Sequence, residues 1–322
     1  MKRRILSLLV VLSVFLAGCT SQGHPSAKNG TSSEVTHSAH VENVSSEAKD
    51  TIRIASWNIE NFGKSKATDP VRMSKIAETL KGYDIIAVQE ISNVREQSDP
   101  GCPRNENACP GKRCHLIRRA LEKYLNEAYG LHYRFIFSSQ VKDERYLFIY
   151  NPDTVTLGGA ELMEDPGDVG PICLSHPEST GMMVRQPFEA KFKAGDFDFI
   201  LLTAHTSPKR NLEELNALDY FFRQAGSQGE PDVILVGDLN ADCNYLRTGE
   251  YTALRGPGYI WVIPDDTDTT VSRTDCAYDR VIFGEATRED FTGRWGVVRD
   301  IPDNVSDHYL IWVEFWTDRD SD

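Results

Sequence analysis

The sequence predicts an α/β fold with mixed β-sheets, and three observations carry that reading. Apolar runs of strand length recur along the chain. Segments with apolar residues at helical spacing lie between them, and neither kind is confined to one half. The composition is that of a globular protein, 322 residues with 40% hydrophobic and 26% charged. Element by element, Ile52 to Trp57 reads as the opening strand. Val71, Met73, Ile76, Ala77 and Leu80 recur at helical spacing, and Asp84 to Val88 is a second strand. Leu116, Ile117, Ala120, Leu121, Tyr124, Leu125 and Ala128 mark a longer helix. Tyr146 to Tyr150 and Phe197 to Thr203 read as strands. Leu212, Leu215, Leu218 and Phe222 trace a helix, and Val233 to Val236 is the strand after it. A strand from Tyr309 to Phe315 closes the domain, and no internal repeat is evident.

Charge narrows the function classes. Lys+Arg 35 against Asp+Glu 48 gives a net charge of -13. Phosphate binding by counterion release needs clustered cations, so a broad basic polyanion-binding surface is excluded. Phosphoester chemistry is not, because carboxylates that hold divalent cations invert the local field.

The first residues describe export. Lys2, Arg3 and Arg4 precede the apolar run Ile5 to Ala17, which is shorter than the about 20 residues a membrane span needs. Leu16-Ala17-Gly18-Cys19 resembles the lipobox of bacterial lipoproteins, whose Cys is lipidated and becomes the new N-terminus. Residues 1–18 are therefore expected to be a lipoprotein signal. Residues 19–50, rich in Ser, Thr, Asn and Glu and free of Phe, Tyr and Trp, are expected to be a flexible tether. Its root-mean-square reach is on the order of 30 Å. One catalytic domain over 51–317 and a short tail over 318–322 complete the chain. The expected location is extracytoplasmic, lipid-anchored through Cys19 to a bacterial membrane. Thr20 rather than Asp after that Cys suits outer-membrane sorting in a Gram-negative host. No protein partner is inferred.

The functional signal lies in the polar residues at strand ends. Trp57-Asn58-Ile59-Glu60-Asn61 follows the first strand, and Val88-Gln89-Glu90 ends the second. Thr203-Ala204-His205 and Gly237-Asp238-Leu239-Asn240 end two more, and Ser306-Asp307-His308 precedes the last. Loops outside strand ends converge on a rigid frame, where ligands bind in α/β sheets. A lone Asp or Asn there is more often a turn or cap. Five such placements together point instead to a divalent-metal and acid–base site for phosphoester cleavage.

With these residues in view, the sequence resembles the endonuclease/exonuclease/phosphatase superfamily, and within it the secreted deoxyribonuclease I branch. The resemblance runs from Ile52 to Phe315. It rests on Glu144 to Phe148, Gly237 to Cys243, Trp261 to Asp265, Asp268 to Thr270 and Cys276 to Arg280, beyond the shared Gly-Asp-Leu-Asn core. It implies a four-layer sandwich of two mixed β-sheets flanked by helices. It also implies Glu90 as main ligand of Mg2+ (or Mn2+), with Asn58 beside it and Asp238, Asn240 and Asp307 completing a metal and phosphate cradle. His308 paired with Asp279 would be the general base, and His205 paired with Glu144 the general acid. Arg185 and Tyr278 would contact phosphate. The implied activity is hydrolysis of DNA to 5′-phosphate ends. Two rivals remain: a phosphodiesterase for RNA, nucleotides or phospholipid head groups, and a surface binding module on a dead nuclease fold. Decay of the site would mark the second, yet His205, Asp238, Asn240 and His308 are all present.

Setting aside Cys19, an even number of the seven Cys remains in an exported chain, which favours disulfides over zinc. The resemblance implies a Cys243–Cys276 bridge, whose loop closure contributes about 3 to 4 kcal/mol in the chain-entropy model. Cys102, Cys109, Cys114 and Cys173 allow three pairings. Asp268, Thr270, Ser272 and Thr274 alternate like the ligands of a structural Ca2+ in the resembled branch, an exposed Thr-rich strand being the alternative.

The chain also departs from that branch, with Glu60 and Ser92 where Arg is usual and Lys142 where Tyr is usual. An apparent insertion lies between Arg95 and Arg119. Its Arg104, Lys112 and Arg113, together with Lys142, are expected to hold DNA through its phosphates with little sequence preference. The alternative is a disulfide-stapled surface loop.

Overall fold

The structure is a computed structural model and describes residues 50–92, 116–166, 182–247, 250–320 and 322. Cys19, Arg104, Lys112, Arg113 and the four unassigned Cys lie outside the described residues. The elements run β1 (Thr51–Phe62), α1 (Lys64–Ala67), α2 (Pro70–Leu80), β2 (Ile85–Ser92), α3 (Leu116–Leu121), β3 (Arg134–Phe137), β4 (Glu144–Tyr150) and β5 (Thr156–Leu162). They continue with β6 (Phe188–Ala194), β7 (Phe197–His205), α4 (Asn211–Gly226), β8 (Val233–Asp238), β9 (Tyr259–Trp261), β10 (Asp279–Gly284), β11 (Phe291–Val298) and β12 (Leu310–Trp316). A π-helical stretch, Glu122–Glu127, prolongs α3, so the expected longer helix is present.

The strands form two six-stranded sheets, in the orders β11-β12-β1-β2-β4-β3 and β5-β6-β7-β8-β10-β9. The orders are equivalent. Each sheet centres on one parallel pair, β1 with β2 and β7 with β8, and each pair is joined through a helix, α2 or α4. Antiparallel strands flank both pairs. The fold therefore repeats one topology twice, although the two halves share no visible sequence period.

Period-two alternation assigns every central strand a face in the sandwich interior and a face under a helix. Ile52 and Ile54, Ile85 and Ala87, Tyr146 and Phe148, Phe199 and Leu201, Ile234 and Val236, and Val281 and Phe283 meet between the sheets. The alternate residues of the first sheet, Trp57, Ile59, Ile86, Val88 and Leu147, pack with Met73, Ile76 and Leu80 of α2. Those of the second, Ile200, Leu202, Val233 and Leu235, pack with Leu215, Leu218 and Phe221 of α4. Asp69 caps α2 by accepting from Val71 N at 2.9 Å and Arg72 N at 3.2 Å. The result is the expected four-layer sandwich.

At Gly237 the backbone of β8 lies close against Ala204 of β7. The Gly237 φ is +146°, and a Cβ there would lie 2.0 Å from the Ala204 carbonyl oxygen, so a side chain is excluded one residue before Asp238. Cys243 and Cys276 are bridged, with Cα atoms 5.8 Å apart.

Candidate active site

The inward face of each central strand changes from apolar to polar toward one end of the sandwich. On β1, Ile52 and Ile54 give way to Ser56 and Asn58; on β2, Ile85 and Ala87 give way to Gln89. Reading β4 backwards, Phe148 and Tyr146 lead to Glu144; on β7, Leu201 leads to Thr203 and His205. Val236 precedes Asp238 on β8, and Val281 follows Asp279 on β10. The register aligns His205 with Asp238 and Asp279 with Asp238 in one row across three strands. Below that row a polar layer closes off the apolar core: fully buried Gln89 donates to Ser56 Oγ at 3.1 Å and Thr203 Oγ1 at 2.8 Å.

The row holds two histidine–carboxylate pairs converging on one oxygen. His205 Nδ1 lies 2.9 Å from Glu144 Oε1, and His308 Nδ1 lies 2.8 Å from Asp279 Oδ2. Each imidazole turns its Nε2 to Asp238 Oδ2, at 3.5 Å in both cases. The same oxygen accepts from Asn58 Nδ2 at 3.0 Å, while Asp238 Oδ1 accepts from Asn240 N at 3.1 Å. Burial opposes charge on all three groups. The Asp279 and Asp238 carboxylates nonetheless outweigh it and hold His308 well above its ordinary pKa. At His205, the hydrogen bond to Glu144 and the Asp238 charge raise the pKa against the same burial. Asp238 stays ionised below its usual range because both imidazoles, Asn58 and the Asn240 N–H overcome its desolvation.

Beside the row, Glu90 and Asp307 form a carboxylate corner. Glu90 has φ +58°, in the left-handed region, and sits where the β2–β4 register slips between Val88 and Ile91. Such an irregularity re-aims a side chain. Its carboxylate accepts from Asn58 Nδ2 at 3.0 Å and from Asn61 N at 2.8 Å. Asp307 Oδ1 is 3.8 Å from His308 Nε2; its side chain is exposed, yet partial desolvation with the charges of Glu60 and Glu90 raises its pKa although His308 opposes them. A corner where neighbouring carboxylates raise Asp307, lined among the described residues by amide and carboxylate oxygens and no thiol, fits a hard divalent cation. Single oxygens of Asp238 and Asp279 and one nitrogen of His308 also lie within 4.8 Å of one another, a second grouping that could hold a metal.

His308 is anchored through its backbone. Trp57 Nε1 donates to the His308 carbonyl at 2.9 Å, His308 N donates to Ser306 Oγ at 3.0 Å, and Ser306 Oγ donates to the Asn58 carbonyl at 2.6 Å. The other expected positions divide. Arg185 reaches the site but faces inward, its Nε 3.2 Å from Glu144 Oε1 and its Nη1 donating to the His205 carbonyl at 3.2 Å. Tyr278 flanks His308, with ring centres 6.3 Å apart. Lys142 is exposed on the turn before β4. Asp268, Thr270, Ser272 and Thr274 gather in one loop. There Asp268 Oδ1 accepts from Thr270 N at 3.0 Å, and Asp268 Oδ2 pairs with Arg299 Nη1 at 3.2 Å. That loop touches the site, because Thr270 bridges His308 and Val271 N donates to the Asp307 carbonyl at 2.8 Å.

Two positioning residues escape the sequence reading. Buried Lys66 donates to the Ile59 carbonyl at 3.3 Å and to the Glu60 carbonyl, clamping the end of β1. Glu214, fully buried on α4, accepts from Val184 N at 2.9 Å and Ser207 N at 2.6 Å, joining the Arg185 segment to the turn after His205. A carboxylate among Leu215 and Leu218 on the apolar side of a helix was the available signal for Glu214.

The chain belongs to the Endonuclease/Exonuclease/phosphatase family, whose model matches residues 55–308. The cluster of Asp238, Asp279 and His308 is in keeping with the active site of such a hydrolase. Deoxyribonuclease-1 of Oryctolagus cuniculus is 28% identical over 286 residues, covering 81% of this chain and 92% of its own. Deoxyribonuclease-1-like 2 of Homo sapiens is 29% identical over 304 residues, covering 81% and 91%. Among solved structures, truncated Caenorhabditis elegans TDP2 superposes with a TM-score of 0.54 at 15% identity, covering 83% of this chain and 97% of its own. A mannosyl-6-phosphatase of Bacteroides thetaiotaomicron gives 0.52 at 18% identity, covering 81% and 98%. These two likenesses concern the fold.

Proposed function

We propose that this protein is an extracytoplasmic, metal-dependent endonuclease that hydrolyses DNA phosphodiesters and leaves 5′-phosphate ends. The observation that carries the reading is the pair of histidine–carboxylate couples aimed at one oxygen of Asp238 beside the Glu90–Asp307 corner. Two imidazoles whose Nε2 atoms both approach one carboxylate oxygen suit in-line displacement, with one on the entering side and one on the leaving side. Asp279 fixes His308 through Nδ1, so Nε2 is the atom that takes the proton from the attacking water. Glu144 fixes His205 in the same manner, and its Nε2 proton passes to the departing 3′ oxygen, which leaves phosphate on the 5′ end. Asp238 holds both rings in register, and Asn240 and Asn58 orient the phosphate oxygens.

Glu90, with Asn58, Asp307 and Asp238 at its side, is the proposed Mg2+ (or Mn2+) holder. When bound, the cation supplies positive charge to the phosphate and offsets the carboxylates that raise His308. Arg185 holds the His205–Glu144 couple from the side and, with Tyr278 and Lys142, is assigned to substrate contact. The Asp268 loop is assigned to structural Ca2+, with Thr270 carrying its effect to His308. The relatives' names as deoxyribonucleases support DNA as substrate, and the Cys243–Cys276 bridge supports an oxidising location. The membrane anchor rests on the Leu16 to Cys19 motif alone.

The test is to incubate purified protein with plasmid, single-stranded DNA, RNA and a chromogenic phosphodiester, in Mg2+, Ca2+ or EDTA. Plasmid cleavage with Mg2+ that EDTA abolishes is the expected result. Preference for RNA or the small diester over plasmid would reassign the substrate.

A further inference from the structure

The end of the sandwich opposite the catalytic row gathers a second set of acids. β7 and β8 begin there at Phe197 and Val233, and β12 ends there at Trp316. One carboxylate oxygen each from Glu230, Asp232 and Asp322 lies within 4.8 Å of the other two. Asp232 is fully buried, and neither of its side-chain oxygens has a hydrogen-bond partner of good geometry among the described residues. The neighbouring Thr287 hydroxyl favours its charged form without meeting that geometry. Asp232 N donates instead to Glu230 Oε1 at 2.8 Å, drawing the two acids together. Asp198 and Asp320 add to the negative field on one side and Asp290 on another. Lys193, 2.6 Å from Asp198, supplies positive charge at the rim.

An ionised carboxylate buried without donors is costly, so such a group is either protonated or bound to a cation. Burial and the surrounding acids push both Glu230 and Asp232 up to about 7, the response of carboxylates that lack a counter-charge. Oxygen-only ligands, one rigid and buried and one exposed and adaptable, match the hard and geometrically tolerant Ca2+ better than Mg2+ or a soft metal. We propose that Glu230, Asp232 and Asp322 form a Ca2+ site that ties Asp322, in the segment after β12, to the segment leading into β8. The site is separate from the catalytic corner and from the Asp268 loop, and it does not depend on the nature of the substrate.

Calorimetric titration of the full chain with Ca2+ tests this, with Asp232→Asn, Asp322→Asn and Asp268→Asn variants compared. The wild type should bind one Ca2+ more than Asp232→Asn. Asp322→Asn should weaken that same step at least about ten-fold, and Asp268→Asn should keep it. Melting gives a second reading: in EDTA, Asp232→Asn should melt at or above wild type, since the buried acid is gone. Wild type alone should then gain the full Ca2+-dependent rise. A folded Asp232→Asn protein with the wild-type Ca2+ count and rise would overturn the proposal and identify Asp232 as a buried neutral acid. If Asp232→Asn does not fold, Asp322→Asn decides by the same criteria.

Discussion

Asp279→Asn is the most informative single substitution at the candidate site. Asp279 is fully buried, and its Oδ2 lies 2.8 Å from His308 Nδ1. Unit charges about 3 Å apart at an effective dielectric near 20 attract by about 5 kcal/mol. The amide keeps its shape and can still accept from Nδ1–H, and Asp238 remains 3.5 Å from the other ring nitrogen. Roughly half of the attraction should therefore be lost in the transition state, about 3 kcal/mol. At about 1.4 kcal/mol per decade that is about a 10²-fold lower rate. Stability should fall as well, by up to about 3 to 5 kcal/mol, the cost of removing one partner of a buried ion pair. Initial rates of plasmid nicking, beside a melting curve for each protein, measure both quantities. A folded Asp279→Asn enzyme that cuts at the wild-type rate, while His308→Ala is at least about 10²-fold slower, would refute carboxylate support of His308.

Three further outcomes are expected. His205→Ala should cost about 10²-fold or more in DNA cleavage with the fold intact, which circular dichroism and a nicking assay check together. Cys19→Ser should move the processed protein from the membrane to the soluble fraction, and a variant that stays membrane-bound after correct processing contradicts the lipid anchor. Neutralising Arg104, Lys112 and Arg113 together should weaken DNA binding and flatten its salt dependence by up to about three units of slope while sparing a minimal diester. An unchanged slope would make that loop structural.

How much was legible beforehand can be judged from particular residues. Strands buried on both faces, such as Tyr146 to Tyr150 and Val233 to Val236, stand out as apolar runs, and all of those read from the sequence are present. Six others escaped the reading. β5 and β11 are half-exposed with glycines, β9 is three residues long, and β3 is four. β6 was readable, since Phe188, Ala190, Phe192 and Ala194 alternate with Lys191 and Lys193. β10 was hidden inside a stretch noticed for its chemistry, with Asp279 and Arg280 interrupting the apolar pattern. Strand-end polarity located the site because the period-two face that buries Val236 also aims Asp238 inward. What it could not give was the pairing of sheets: nothing local to His205 says that its Nε2 meets the same oxygen as that of His308, a residue distant in sequence. Nor does it separate a side chain that faces substrate from one that faces inward: Arg185, expected only as a phosphate contact, also braces Glu144.

The most direct measurement of the central claim is end analysis of a DNA duplex cut by the purified protein. Labelled duplex should be cleaved internally with Mg2+, yield fragments that carry 5′-phosphate and 3′-hydroxyl ends, and remain intact with EDTA or with His308→Ala. Intact DNA in Mg2+, from a protein that hydrolyses another phosphoester under the same conditions, would contradict it.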